Sequence, residues 1–173
     1  MPRYNKKITR LMDYREFVSG TENIDEGLRR SLLELLYLSG CRIQEALNLH
    51  GGSYHVYRKM LHVNFLRLKG SQQTDPQEIP MTPYLEMILE RPADSEIPTF
   101  PFSYKTSYRE VKKVFPELYP HYFRMNWITT TSRELGDVYV QQVLGLSSRA
   151  LDHYRGKVSI KKVGEMWKNI IAF

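Results

Sequence analysis

The sequence predicts an α+β domain, mostly helical, with one small antiparallel sheet. Three observations predict it. A leucine-rich stretch near the start has helical spacing, a central stretch rich in Tyr, Val, His and Phe alternates with period two, and the chain then returns to helical spacing punctuated by Pro and Gly. The 173 residues fit one domain with a core of its own, so the expected organisation is a single unit over 1–173.

The elements follow in order. Leu28, Leu32, Leu33, Leu35, Leu36 and Leu38 give residues 25–39 a broad apolar helical face. Gly40 interrupts it, and Ile43, Ala46, Leu47 and Leu49 resume helical spacing until Gly51-Gly52. Leu61, Val63 and Phe65 mark strand alternation, so two or three antiparallel strands are expected over 53–82. The Gly-, Ser-, Thr-, Asp- and Pro-bearing stretch 70–77 is expected to be a hairpin tip. Thr82 is expected to cap a short helix reaching Leu89. From Thr106 onward several helices are expected, jointed at Pro116, Pro120, Gly136, Gly145 and Gly156.

Composition narrows the function. Lys plus Arg number 25 against 19 Asp plus Glu, a formal net charge of +6, which favours a polyanionic partner. The single cysteine, Cys41, excludes an internal disulfide and any multi-cysteine metal site. The first ten residues lack the apolar stretch of a secretory signal, and no run of residues suits a membrane span, so a cytoplasmic protein is expected. The five histidines lack metal-ligand spacing and no phosphate-binding glycine loop occurs, so no metal or cofactor is expected. Arg3, Lys6, Lys7 and Arg10 form a candidate basic arm within residues 1–11. Ile160, Val163, Met166, Trp167, Ile170 and Ile171 make 157–173 a candidate amphipathic helix.

Three clusters carry chemistry. Arg42 follows a glycine break at a helix start, with Glu45 three residues on and therefore on the same face. An arginine held by a carboxylate is a rigid two-pronged phosphate binder, although such a pair is also an ordinary helix ion pair. Lys69 stands at a strand end beside Gly-Ser-Gln-Gln, where it can reach a DNA groove or protonate a leaving oxygen, or simply be solvated. His121 and Arg124 lie three apart on a helix beginning at Pro120, with Tyr122 and Phe123 free to pack inward. Leu144-Gly145-Leu146-Ser147-Ser148 and then Tyr154 follow.

Arg-x-x-Glu after a glycine, a hairpin lysine, His-x-x-Arg, Leu-Gly-x-Ser-Ser and a downstream tyrosine, in that order, resemble the catalytic domain of the tyrosine recombinases. These are the phage integrases, the chromosome-dimer resolvases and their archaeal relatives, and the likeness runs from about Tyr14 to Tyr154. The resemblance implies metal-free cleavage and rejoining of double-stranded DNA. Tyr154 would form a 3′-phosphotyrosine bond, Arg42 and Arg124 would clamp the phosphate, Lys69 would protonate the 5′ oxygen, His121 would assist, and Glu45 would orient Arg42. It also implies a homo-oligomer, a tetramer on DNA, with the C-terminal helix as a protomer contact.

Three departures qualify the match. Leu146 stands where the family usually has His or Trp, so one phosphate donor is replaced by an apolar side chain, with Ser147 or water as candidate substitutes. Tyr154 follows that motif slightly sooner than the family pattern. The catalytic-type pattern begins almost at once, so the sequence is expected to be either a domain excised from a longer protein or a minimal protein lacking the family's usual N-terminal core-binding domain. Rival functions stay open: a catalytically weak or inactive DNA-binding relative, a type IB topoisomerase-like or hairpin-resolving enzyme, or a protein-interaction module whose basic charge is incidental.

Overall fold

The computed structural model describes residues 10–25, 27–68, 74–90 and 96–155. The candidate hairpin lysine Lys69, residues 1–9 of the basic arm and the amphipathic tail 157–173 lie outside the described residues.

Helix α1 (Tyr14–Thr21) is capped by Asp13, whose carboxylate accepts from the Glu16 N–H. Helix α2 (Gly27–Ser39) is the central strut. Leu33, Leu35 and Leu36 are fully buried, and Tyr37 joins Tyr14, Phe17, Phe115 and Phe123 in an aromatic cluster. Gly40 then adopts φ +62, and its N–H closes the helix on the Leu36 carbonyl. The short α3 (Ile43–Leu47) follows at once, and a 3-10 turn (Gly51–Ser53) leads into the sheet.

The sheet comprises β1 (Tyr54–Tyr57), β2 (Met60–Val63) and β3 (Gln77–Pro80), antiparallel in that spatial order. Tyr54 opposes Val63, and Val63 opposes Gln77. Leu61, Val63 and Ile79 point inward as the period-two pattern requires. Gln77 belongs to β3 rather than to the hairpin tip, because its amide donates to the Ser39 carbonyl and anchors the strand on α2 (2.9 Å).

Thr82 caps α4 (Pro83–Glu86), accepting from the Leu85 N–H, and a 3-10 turn (Met87–Glu90) continues it. Helix α5 (Tyr104–Val114) starts two residues earlier than the sequence suggests, because Ser103 caps it through the Thr106 N–H. Helix α6 (Pro120–Leu135) packs on α2 and is tied to the first described residues by Asn126, which exchanges hydrogen bonds with the Met12 backbone. Helix α7 (Asp137–Leu144) ends at Gly145 in the left-handed region, and α8 (Ser148–Arg155) carries Tyr154.

Two apolar clusters result. The larger joins α1–α5, the sheet and the first half of α6. The smaller gathers Ile128, Val140, Leu144, Leu146 and Leu151 between α6, α7 and α8. Tyr154 packs against both, so the helix that carries it sits on the seam. No helix among the described residues is long and apolar enough to cross a membrane.

Candidate active site

The site is assembled around Glu45. As the third residue of α3, its carboxylate accepts from the Arg42 N–H at the helix start (2.9 Å), one half of a capping box. The same carboxylate accepts the Arg42 Nη1–H at 2.6 Å. Arg42 also donates to the Leu68 carbonyl (3.0 Å), which binds α3 to the segment running out of β2. The pair predicted from spacing is therefore present, but its carboxylate is fully buried rather than solvated.

Two further guanidinium groups converge on it. Arg67 Nη1 lies 3.2 Å from Glu45 Oε2, and Arg124 Nη1 lies 3.9 Å from the same oxygen. Burial alone would raise the Glu45 pKa; the Arg42 backbone N–H and the Arg124 and Arg42 charges reverse this and hold it below its ordinary value. Glu45 is thus an anion at neutral pH.

Arg124 is fully buried, and its Nη1 donates to the Gly40 carbonyl at 2.8 Å. Gly40 therefore ends α2 and also orients the arginine of α6. Burial and then the neighbouring Arg42 lower the Arg124 pKa, while Tyr154 and Glu45 favour its charged form. An arginine so placed remains a cation at neutral pH. Its Nε and Nη2 are buried without a hydrogen-bond partner.

His121, one helical turn before Arg124, is exposed at the start of α6. Its ring lies 6.0 Å from that of Tyr154, centroid to centroid. Tyr122 and Phe123 between them are buried, as the helical spacing requires. Cys41, Arg42, Gln44, Leu68, Tyr104, Pro120, His121, Arg124 and Tyr154 are among the residues lining one cleft of about 680 Å³. Of the residues singled out by sequence, Arg42, Glu45, His121, Arg124 and Tyr154 come together here; Lys69, one residue beyond the cleft-lining Leu68, lies outside the described residues.

Leu146 does not line the cleft. It is buried in the smaller apolar cluster, where it anchors α8 against α6 and α7. The Ser147 Oγ accepts from the Ala150 N–H and caps α8. Tyr139 is exposed on α7, a surface residue.

Sequence reasoning passed over Arg67 and Tyr104. Tyr104 escaped because α5 begins before the expected residue. Arg67 had a legible signal: Leu61, Val63, Phe65 and Arg67 share one register, and all four are buried. A cation on the inward register calls for a buried carboxylate.

No protein-family model and no curated protein matches the sequence. Solved structures do match. XerH site-specific recombinase in a post-cleavage complex on palindromic difH substrate aligns with a TM-score of 0.69 at 16% identity, covering 95% of this chain and 54% of XerH. XerA recombinase aligns with 0.64 at 17% identity, covering 98% and 66%. The integrase of mycobacterium phage Brujita aligns with 0.57 at 14% identity, covering 95% and 66%. The chain has the catalytic-domain fold of the tyrosine recombinases. It spans about half to two thirds of the length of these recombinases. The mostly helical α+β architecture with its three-stranded antiparallel sheet is the one that the sequence resemblance implies.

Proposed function

We propose that the chain is the catalytic domain of a site-specific DNA recombinase or integrase that cuts and rejoins double-stranded DNA through Tyr154. The phenolic oxygen attacks a DNA phosphorus, a Tyr–O–P bond forms, and the P–O bond to the 5′ oxygen breaks. The product is a 3′-phosphotyrosine, and reversal by an incoming 5′ hydroxyl rejoins the strand without an external energy source. A phenol of pKa near 10 is a poor nucleophile, so the phosphate must be activated. Arg42 and Arg124 supply that activation by holding the non-bridging oxygens as charge accumulates on them. His121 takes up the phenolic proton or donates to the phosphate, and Lys69 protonates the departing 5′ oxygen.

The observation that carries this reading is the sharing of one cleft by Arg42, Arg124, His121 and Tyr154 around a buried Glu45. The solved neighbours support it: XerH is seen on difH DNA before and after cleavage, and Tn1549 transposon integrase with circular-intermediate DNA. The proposal extends to a homo-oligomer on DNA, with 157–173 as a protomer contact, and to a location with intracellular DNA.

The test is a covalent-adduct assay on nicked suicide duplexes tiled across and around the protein's own gene. Wild type is expected to give a protein–DNA adduct stable to denaturing electrophoresis, and Tyr154→Phe none. An adduct of equal yield in Tyr154→Phe would displace Tyr154 as nucleophile. Leu146 favours a second reading, a DNA-binding relative that cuts poorly, since an apolar anchor occupies the position of a phosphate donor. That reading is supported by salt-sensitive DNA binding without any adduct.

A further inference from the structure

Arg67 is the third guanidinium group on Glu45, and its side chain is only 1% exposed. It is not among the residues lining the cleft, so it does not reach a substrate there. Its Nη1 faces Glu45 Oε2, its Nη2 donates to the Val143 carbonyl near the end of α7 (2.7 Å), and its Nε donates to Thr74 Oγ1 (3.3 Å). The guanidinium also lies over the Phe65 ring, 5.0 Å from its centroid. Arg67 is thus clamped beside the carboxylate from several sides. The two arginines that do line the cleft contact the same carboxylate, Arg124 at Oε2 and Arg42 at Oε1.

We propose that Arg67 is a positioning residue for phosphate activation: as a third cation on Glu45, outside the cleft, it keeps a net positive charge of two on the cluster that Arg42 and Arg124 present to the cleft. Among these four groups, three cations against one anion leave a surplus of two positive charges. A phosphodiester carries one negative charge, and its five-coordinate transition state carries two. With Arg67 the surplus equals the charge of the transition state; without it, one cation must offset Glu45 and the surplus falls to one. The site would then still bind a diester but would lose stabilisation specific to the transition state. The proposal rests on the strand-transfer reading above, with Arg42 and Arg124 as the phosphate-binding pair.

The test compares Arg67→Gln and Arg67→Lys, which disturb the same packing but differ in charge. Two quantities are read at matched pH and salt. One is the single-turnover rate of adduct formation together with duplex affinity. The other is the affinity for inorganic phosphate, followed through the Arg42 and Arg124 side-chain NMR signals, which needs no DNA site. Arg67→Gln is expected to slow adduct formation about 10-fold or more while duplex affinity changes less than about 3-fold. It is also expected to weaken phosphate binding, and Arg67→Lys to restore most of both. Equal losses in the two variants, or loss of folding in both, would make Arg67 a packing residue and overturn the proposal. So would a Gln variant that behaves like wild type. If wild type forms no adduct but its phosphate affinity falls in Gln and returns in Lys, the charge-setting role stands and the strand-transfer reading fails.

Discussion

At residue scale, Gly40 links backbone geometry to chemistry. Its φ of +62 ends α2, its carbonyl holds Arg124, and a Cβ there would stand 2.8 Å from Cγ and 2.9 Å from Cβ of Trp127. Gly40→Ala therefore incurs both left-handed strain and a steric clash, and should destabilise the fold by about 2 kcal/mol or more. Denaturant titration checks this, and an unchanged midpoint would show that the turn relaxes at little cost. Cys41 next to it is structural: the thiol is buried, and burial pushes its pKa up to about 12, so it is no nucleophile at neutral pH. Tyr154 and the buried tyrosines have different surroundings. Burial raises Tyr14, Tyr37 and Tyr122 far above the ordinary range, and each donates its hydroxyl proton to a carboxylate or a backbone carbonyl. Tyr154 instead lines a cleft beside His121 and Arg124.

At element scale, the β1–β2 hairpin turns through Arg58 and Lys59, both with positive φ, 49 and 62. Two-residue hairpins of this geometry favour Asn-Gly, because glycine has no Cβ and the short asparagine amide tolerates the left-handed region through local hydrogen bonds. Replacing Arg58-Lys59 with Asn-Gly should raise stability by about 1–2 kcal/mol. A melting temperature that rises by a few degrees would bear this out, and one that falls would mean that the Arg58 stack on Tyr57 outweighs the strain. Leu146 fixes the turn into helix α8. Leu146 follows the left-handed Gly145, its N–H returns to the Gln141 carbonyl, and its side chain enters the α6–α7–α8 core. The residue for which the resemblance implies a phosphate donor here seats the helix that carries Tyr154.

At the scale of the whole molecule, the charge cluster around Glu45 joins α3, the segment after β2, α6 and the end of α7. Because the folded Glu45 pKa lies below its unfolded value, its contribution to stability is complete above the ordinary carboxylate range, about pH 4.3. It is lost as the pH falls through the lower folded value. Unfolding free energy should therefore drop on acidification below about pH 4.5, and Glu45→Gln, though less stable at neutral pH, should show a shallower drop. Parallel pH profiles for the two proteins would show that Glu45 does not titrate in this linkage. Acid should loosen all four segments together, since one carboxylate serves them all.

The chain alone dictates the order of elements, because helical and strand periodicity are local properties of it. It determined Arg42–Glu45 and His121–Arg124 as pairs, because three residues along a helix make one turn. Thr82 and Gly145 were legible as cap and stop for the same reason, since capping needs only near neighbours. The early start of α5 was missed because helical spacing was read only from Thr106, without the Ser103 cap. Packing in three dimensions brings Arg42, Arg124, His121 and Tyr154 into one cleft, since they come from segments up to 112 residues apart. It alone decided that Leu146 faces a core and that Arg67 sits beside Glu45. Strand alternation can say that Arg67 points inward, but a buried charge persists only where the folded chain brings it an opposite charge, and that partner stands 22 residues earlier on another element.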